Sequence, residues 1–161
     1  MSTFHDASPS DVAVVEELLG RPLAGRFAVV VRRRDGSPVV IENEPHLRDG
    51  TPMPTLFWLV DPDLHAAVSR LEASAGVHRF EDLVDPERLQ RTHDDYAERR
   101  RRATVHASAT NASGGVGGTR VGVKCLHAHL ANYLVGSDDP VGELVAEAID
   151  VPTLLREDVR D

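Results

Sequence analysis

The stretch Arg26-Phe-Ala-Val-Val-Val-Arg-Arg-Arg-Asp-Gly-Ser-Pro-Val-Val-Ile-Glu42 decides the fold class. Phe27, Val29 and Val31 alternate with Ala28 and Val30, so both faces of this run are apolar and the pattern predicts a strand covered on both sides. Asp35-Gly36 supplies the positive φ angles that a tight connection needs, and Val39 to Glu42 is the return strand. Working outward, a polar, proline-interrupted connection over residues 43–55 leads to Leu56-Phe-Trp-Leu-Val60, which reads as a third buried strand. The sum is a small antiparallel sheet.

Helix signals surround it. Val12, Val15, Leu18 and Leu19 recur at helical spacing from Asp11 onward, and Gly20 and Pro22 stop that helix. Asp61-Pro62, Asp85-Pro86 and Asp139-Pro140 each offer a capping aspartate followed by proline at the first helical position. The first opens a helix with the core stripe Leu64, Ala67, Val68, Leu71 and Ala75, closed by Gly76. The second opens the longest helix, expected from 86 to about 107, whose stripe Leu89, His93, Tyr96, Arg100, Ala103 and Ala107 is unusual in carrying three polar members. Residues 108–122 read as a loop, Val123 to Val135 as a helix ended by Gly136, and the third Asp-Pro pair as the start of a last helix to Ile149. The predicted class is α+β, a sheet of about three strands packed by four or five helices, as one domain over residues 1–161 with 1–10 and about 150–161 mobile.

Composition narrows the function classes. A chain of 161 residues buries enough surface to stand without staples, and its single cysteine forms no internal disulfide. The net charge of -8 is concentrated in residues 137–161, which hold eight acids and two arginines, so a general nucleic-acid binder is not expected. The clusters Arg32 to Arg34 and Arg99 to Arg102 read either as solvated faces or as docking points for a protein partner. The longest apolar run, Leu56 to Val60, is far below the roughly 20 residues of a membrane span, and no secretory signal pattern opens the chain, so a cytoplasmic protein is expected.

The densest chemistry lies in Gly114-Gly-Val-Gly-Gly-Thr-Arg-Val-Gly-Val-Lys-Cys-Leu-His-Ala-His129, which contains the only lysine, Lys124, beside the only cysteine, Cys125. Gly117 and Gly118 with their neighbours, Arg120, Lys124 and a helix N-terminus make an anion site inexpensive, although the spacing matches neither a P-loop nor a dinucleotide fingerprint. Cys125, in a first turn next to a cation, is either a reactive thiol or an inert packed one. On a wheel of about 100 degrees per residue, His127 joins the apolar face of Val123, Leu126, Leu130, Tyr133 and Leu134, while Cys125, His129 and Asn132 share the opposite face. Only Cys125 and His129 are then placed to share zinc, with further ligands to come from His46, His93, His106 or a carboxylate. His93, Tyr96 and Arg100 line one ridge expected to face His127 across a polar pocket. A second candidate is Leu47-Arg-Asp-Gly-Thr-Pro-Met-Pro-Thr55, a stiffened loop that presents Arg48, Asp49 and Thr51 to a ligand or serves only as a connector.

Three stretches together resemble a bacterial, chiefly actinobacterial, family classed as a domain of unknown function, number 501 in its series. They are Asp49-Gly-Thr-Pro-Met-Pro-Thr-Leu-Phe-Trp-Leu-Val-Asp-Pro62, His93-Asp-Asp-Tyr-Ala-Glu-Arg99, and Gly-Val-Lys-Cys-Leu-His127 followed by Asp139-Pro-Val-Gly142. The resemblance assigns no reaction. It implies a recurring Lys-Cys-Leu-His core, a position 129 that also accepts apolar residues, a variable glycine loop, and gene neighbourhoods with exopolyphosphatase-like and septum-formation proteins. The expected function is binding of a small anionic ligand in a pocket built from the 43–55 loop, the His93 ridge and the Arg120 to His127 segment. If the protein is an enzyme, Cys125 is nucleophile or redox thiol, His127 or His93 the acid/base, and Arg120 with Lys124 the anion clamp. The alternative from another class is a non-catalytic interaction or regulatory module that docks a protein partner through the arginine clusters or the acidic C-terminal segment, linked by its neighbourhoods to cell division or envelope growth.

Overall fold

A computed structural model describes residues 6–53, 55–74, 76–103 and 114–155. Helix α1 spans Pro9–Leu19, two residues earlier than the hydrophobic spacing predicts, because Ser8 and Asp11 form a capping box and Pro9 takes the first turn. Strands β1 (Phe27–Arg32), β2 (Pro38–Asn43) and β3 (Phe57–Leu59) form an antiparallel sheet in the order β1-β2-β3. The hairpin closes at Gly36, whose φ of 93° is costly for any other residue type; Asp35 has no positive φ, so Gly36 alone supplies the left-handed backbone expected of the pair.

The strand covered on both sides is β2, not β1. As the central strand, β2 has Val39, Val40 and Ile41 at 0% exposure, whereas β1 lies at the edge and leaves Val30 39% exposed. The pleat sends Ile41 and Trp58 to one face, where α1 contributes Val15 and Leu19, and Val40, Phe57 and Leu59 to the other. That second face carries the larger core, filled by Leu64, Val68, Leu89, Leu126, Leu130 and Val145. Leu126 and Leu130, both fully buried, each contribute about 1.5–3 kcal/mol by leaving water.

The three Asp-Pro signals all open helices: α2 (Pro62–Ala73), α4 (Pro86–Ala103) and α6 (Pro140–Ile149). Gly76 does not end a helical region; it begins α3 (Gly76–Leu83), for which a side chain would sit 2.4 Å from the Leu71 carbonyl. A 3-10 turn covers Val116–Gly118, and α5 spans Leu126–Leu134, three residues shorter at its start than the predicted helix. The short α7, Val151–Leu155, lies in the segment expected to be mobile. Residues 1–5, 104–113 and 156–161 lie outside the described residues, as do Pro54 and Ala75; the end of the long helix at Ala107 and the candidate ligand His106 fall there. The polar stripe of α4 is buried as read, with Leu89, His93, Tyr96 and Arg100 at 4% exposure or less. No helix among the described residues is long and apolar enough to cross a membrane.

One ionic tie joins hairpin to helix. Asp61 is 1% exposed, caps α2 by accepting from the Asp63 and Leu64 amides, and receives both Nε and Nη2 of Arg33 at 2.5 and 2.8 Å. Removing the carboxylate strips the cap and leaves a largely buried guanidinium with only the exposed Asp63 carboxylate and the Leu154 carbonyl as partners among the described residues. Asp61→Ala is expected to destabilise by about 3–5 kcal/mol in urea unfolding, with Asp61→Asn recovering part of the cap; equal losses for both would assign the whole effect to the ion pair.

Candidate functional site

Cys125 is not helical. It is the N-cap of α5, with φ -146° and ψ 119°, and this extended backbone removes it from the wheel on which it opposed His127. Its Sγ instead lies 4.0 Å from His127 Nδ1. The Glu72 carboxylate of α2 completes the group: Oε1 is 3.2 Å from His127 Nδ1 and accepts the Leu126 amide at 2.7 Å. One ligand atom from each of Glu72, Cys125 and His127 falls within 4.8 Å of the other two, and all three residues are half-buried.

The proton positions follow from the partners. His127 Nε2 faces the His65 carbonyl at 3.2 Å, which only accepts, so Nε2 carries hydrogen and also reaches Ser69 Oγ at 3.2 Å. Nδ1 is thereby aimed at the thiol and the carboxylate. Burial alone disfavours the imidazolium, but Cys125, Glu72 and the His65 carbonyl outweigh it and raise the His127 pKa above 6.5. Without an ion, a proton on Nδ1 bridges to Glu72; a cation would take that proton's place. Zinc bonds of about 2.3 Å to sulfur and about 2.0–2.2 Å to nitrogen and oxygen set tetrahedral donors about 3.4–3.6 Å apart. The observed separations of 3.2 Å (nitrogen to oxygen) and 4.0 Å (sulfur to nitrogen) fall on either side of that range, and all three donor atoms lie within 4.8 Å of one another. The His65 ring stacks beside His127 at 4.4 Å, and its own pKa is lowered, first by burial and then by the His127 charge.

His93 and His129 are elsewhere. His93 does not face His127 across a pocket: its Nδ1 accepts the Val116 amide at 3.0 Å and its Nε2 donates to the Gly122 carbonyl at 2.7 Å, so the ring is neutral and fully engaged in holding the glycine turn. His129, at 0% exposure, pairs through Nδ1 with both oxygens of Asp139, at 3.0 and 2.9 Å. Cys125 and His129 are not brought together as a metal pair, because His129 points to the α6 side while Cys125 sits at the α2 side. The carboxylate that the thiol lacked comes from Glu72.

The glycine turn is closed on itself. Gly117 and Gly118 have φ of 69° and 80°, but the Gly115, Val116 and Gly118 amides are spent on Thr119, His93 and Gly115. The turn lies against the thiol segment, since a side chain at Gly117 would meet Cys125 Cβ at 3.6 Å and Lys124 Cβ at 3.8 Å. Lys124 and Arg120 are exposed beside it. In the second candidate, Asp49 accepts the Thr51 amide and Leu47 donates to the Thr51 carbonyl, so both residues stiffen the loop and Arg48 projects outward. Tyr96 and Arg100 secure that loop from below: the Tyr96 hydroxyl accepts from the Leu56 amide, Arg100 Nη2 donates to the Met53 carbonyl, and burial pushes the Tyr96 pKa up to about 12.

His65, Ser69 and Glu72 were not singled out from the sequence. Their signal was available: at i, i+4 and i+7 they form a polar stripe on α2 flanking the core stripe.

Fold and site define a small α+β protein with a mixed sulfur, nitrogen and oxygen cluster between two helices. A family model described as "Protein of unknown function (DUF501)" matches residues 29–147, and the chain belongs to that family. No curated protein and no solved structure is found to match it.

The His93 clamp has two measurable consequences. A side chain at Gly115 would lie 2.3 Å from His93 Nδ1 and 2.6 Å from the Thr119 carbonyl, so Gly115→Ala should destabilise by about 1–3 kcal/mol in urea. Burial lowers the His93 pKa below 6.5, so its contribution is complete above that value and declines as pH falls from 6.5 through the lowered folded value. Melting temperatures from pH 7 to 5 should fall more steeply in the native protein than in His93→Gln; parallel curves would remove His93 from the acid response.

Proposed function

We propose that the protein binds a zinc-class divalent cation through Glu72, Cys125 and His127 and takes a small anionic ligand on the ion's remaining position, next to Lys124. One observation carries the reading: three different donor types converge within 4.8 Å, with the histidine nitrogen aimed inward by the His65 carbonyl. Three protein ligands with an open position characterise catalytic zinc sites more than structural ones. Thiolate and carboxylate together cancel the charge of a dication, and the exposed Lys124 then supplies net attraction for an anion. A cytoplasmic location suits this chemistry, because a reducing compartment keeps the lone thiol free to ligate.

The interaction-module alternative draws less support from the geometry of its basic cluster. Arg100 is buried, Arg101 and Arg102 are paired with Glu98, and Arg99 lies over the Phe57 ring at 4.8 Å.

Cobalt(II) added to chelator-treated, untagged protein provides the test. A stoichiometric thiolate-to-cobalt charge-transfer band is expected, lost in Cys125→Ser and weakened more than about 10-fold in affinity by His127→Ala or Glu72→Ala. Phosphate should shift the band, and Lys124→Ala should weaken the phosphate effect while leaving cobalt affinity unchanged. Absence of the band, together with iodoacetamide labelling of Cys125 that slows in His127→Ala, would replace the metal reading by a thiol-imidazole centre.

A further inference from the structure

A second site lies on the sheet face that α1 covers, remote from the cluster on α2 and α5. A slot of about 190 Å³ opens between the Arg21 to Arg26 segment and the 43–55 loop, with Leu23, Leu47, Met53 and Trp58 as its apolar lining. All four are half-buried, so each keeps part of its surface toward the slot. The volume is below the 300–1,000 Å³ or so of drug-sized pockets, which restricts an occupant to about one ring.

Two arginines line this slot, and they differ in charge compensation. Arg26 is neutralised by Asp6 at 2.7 Å and Glu44 at 3.2 Å, which also accounts for the Glu44 carboxylate in the lining. Arg21 has its guanidinium 5.4 Å from the centre of the Trp58 ring, and among the described residues it has no carboxylate partner. A guanidinium over an aromatic ring is not thereby spent as a hydrogen-bond donor, and its N–H fork matches a carboxylate through two parallel hydrogen bonds. The slot therefore combines an apolar floor, one aromatic face, a polarizable thioether and one uncompensated cation at the rim.

The wall that carries Leu47 and Met53 is tied by hydrogen bonds within its own loop and from the core. Leu47 donates to the Thr51 carbonyl at 2.8 Å, Met53 donates to the Pro45 carbonyl at 2.7 Å, and Arg100 holds the Met53 carbonyl from the core side. Little ordering cost is then left for binding. This arrangement gives the 43–55 loop a purpose beyond connection, with Tyr96 and Arg100 as its supports.

We propose that this slot binds a small aromatic monocarboxylate, its ring among Leu23, Leu47, Met53 and Trp58 and its carboxylate on the Arg21 fork. Aromatic rings favour the indole side chain and the Met53 sulfur over an aliphatic chain of the same size. Arg21 and Leu23 precede the residues matched by the family model, which begins at position 29, whereas Leu47, Met53 and Trp58 lie within them.

Trp58 is the single tryptophan, so its emission reports on the slot directly. Titration with 4-nitrobenzoate, whose nitro-substituted ring quenches indole emission, should give saturable quenching. Arg21→Gln should weaken that affinity about tenfold or more, and Arg21→Lys by less, because the charge survives without the fork. The uncharged 4-nitrobenzyl alcohol should bind more weakly and be indifferent to both substitutions. Cys125→Ser should leave all of these values unchanged, which separates this site from the metal reading. Quenching that stays linear in concentration, or equal affinity in native and Arg21→Gln proteins with matching melting temperatures, would overturn the proposal.

Discussion

The buried carboxylate of Asp139 is the interaction on which the arrangement of the helices depends. An ionised group taken out of water costs several kcal/mol unless its oxygens are filled, and here the Gly142 amide, the Asn132 side chain and His129 Nδ1 all converge on it. The same residue thus caps α6 and binds two successive turns of α5. Gly142 makes that approach possible, because a side chain there would lie 2.3 Å from the His129 carbonyl. With α5 fixed against α6, its other surfaces are pressed onto β3 and α2, and its first residues are delivered to the face that carries Glu72.

A second buried histidine does for the glycine segment what Asp139 does for α5. His93 uses both ring nitrogens on backbone groups 29 and 23 residues away, Gly122 and Val116, and so ties the turn before α5 to the long helix α4. The glycines are therefore needed for close approach and left-handed backbone rather than for an open cradle of amides. The turn ends in the extended Cys125, and that local backbone choice is what rotates the thiol toward His127.

The resulting cluster brings a thiol, an imidazole and a carboxylate together. With Nε2 committed to a carbonyl, the imidazole, carboxylate and thiol face one another, and the raised His127 pKa expresses the pull of Cys125 and Glu72 on a proton at Nδ1 against the cost of burial. Arg21 beside Trp58, which has no carboxylate partner among the described residues, is a comparable imbalance on the opposite face, with a cation in excess there instead of acceptors.

Much of the architecture was legible in the sequence because it is governed by local rules. Asp-Gly set the hairpin, three Asp-Pro pairs set helix starts, and the stripe Leu89, His93, Tyr96 and Arg100 marked a buried polar face through its period alone. Which strand would be central, and so doubly covered, was not legible, because β1 and β2 are both apolar and only pairing with β3 distinguishes them. The wheel failed at Cys125 for a related reason: a helix start depends on where capping and packing stop the coil, and three residues of difference turn a side chain to another face. The sequence by itself determined where the chemically capable side chains lie, namely the lone thiol, its lysine and the histidines. Only tertiary structure decided their partners, Glu72 for His127, Asp139 for His129 and the glycine turn for His93, because those contacts span up to 55 residues and depend on helix packing that no local spacing encodes.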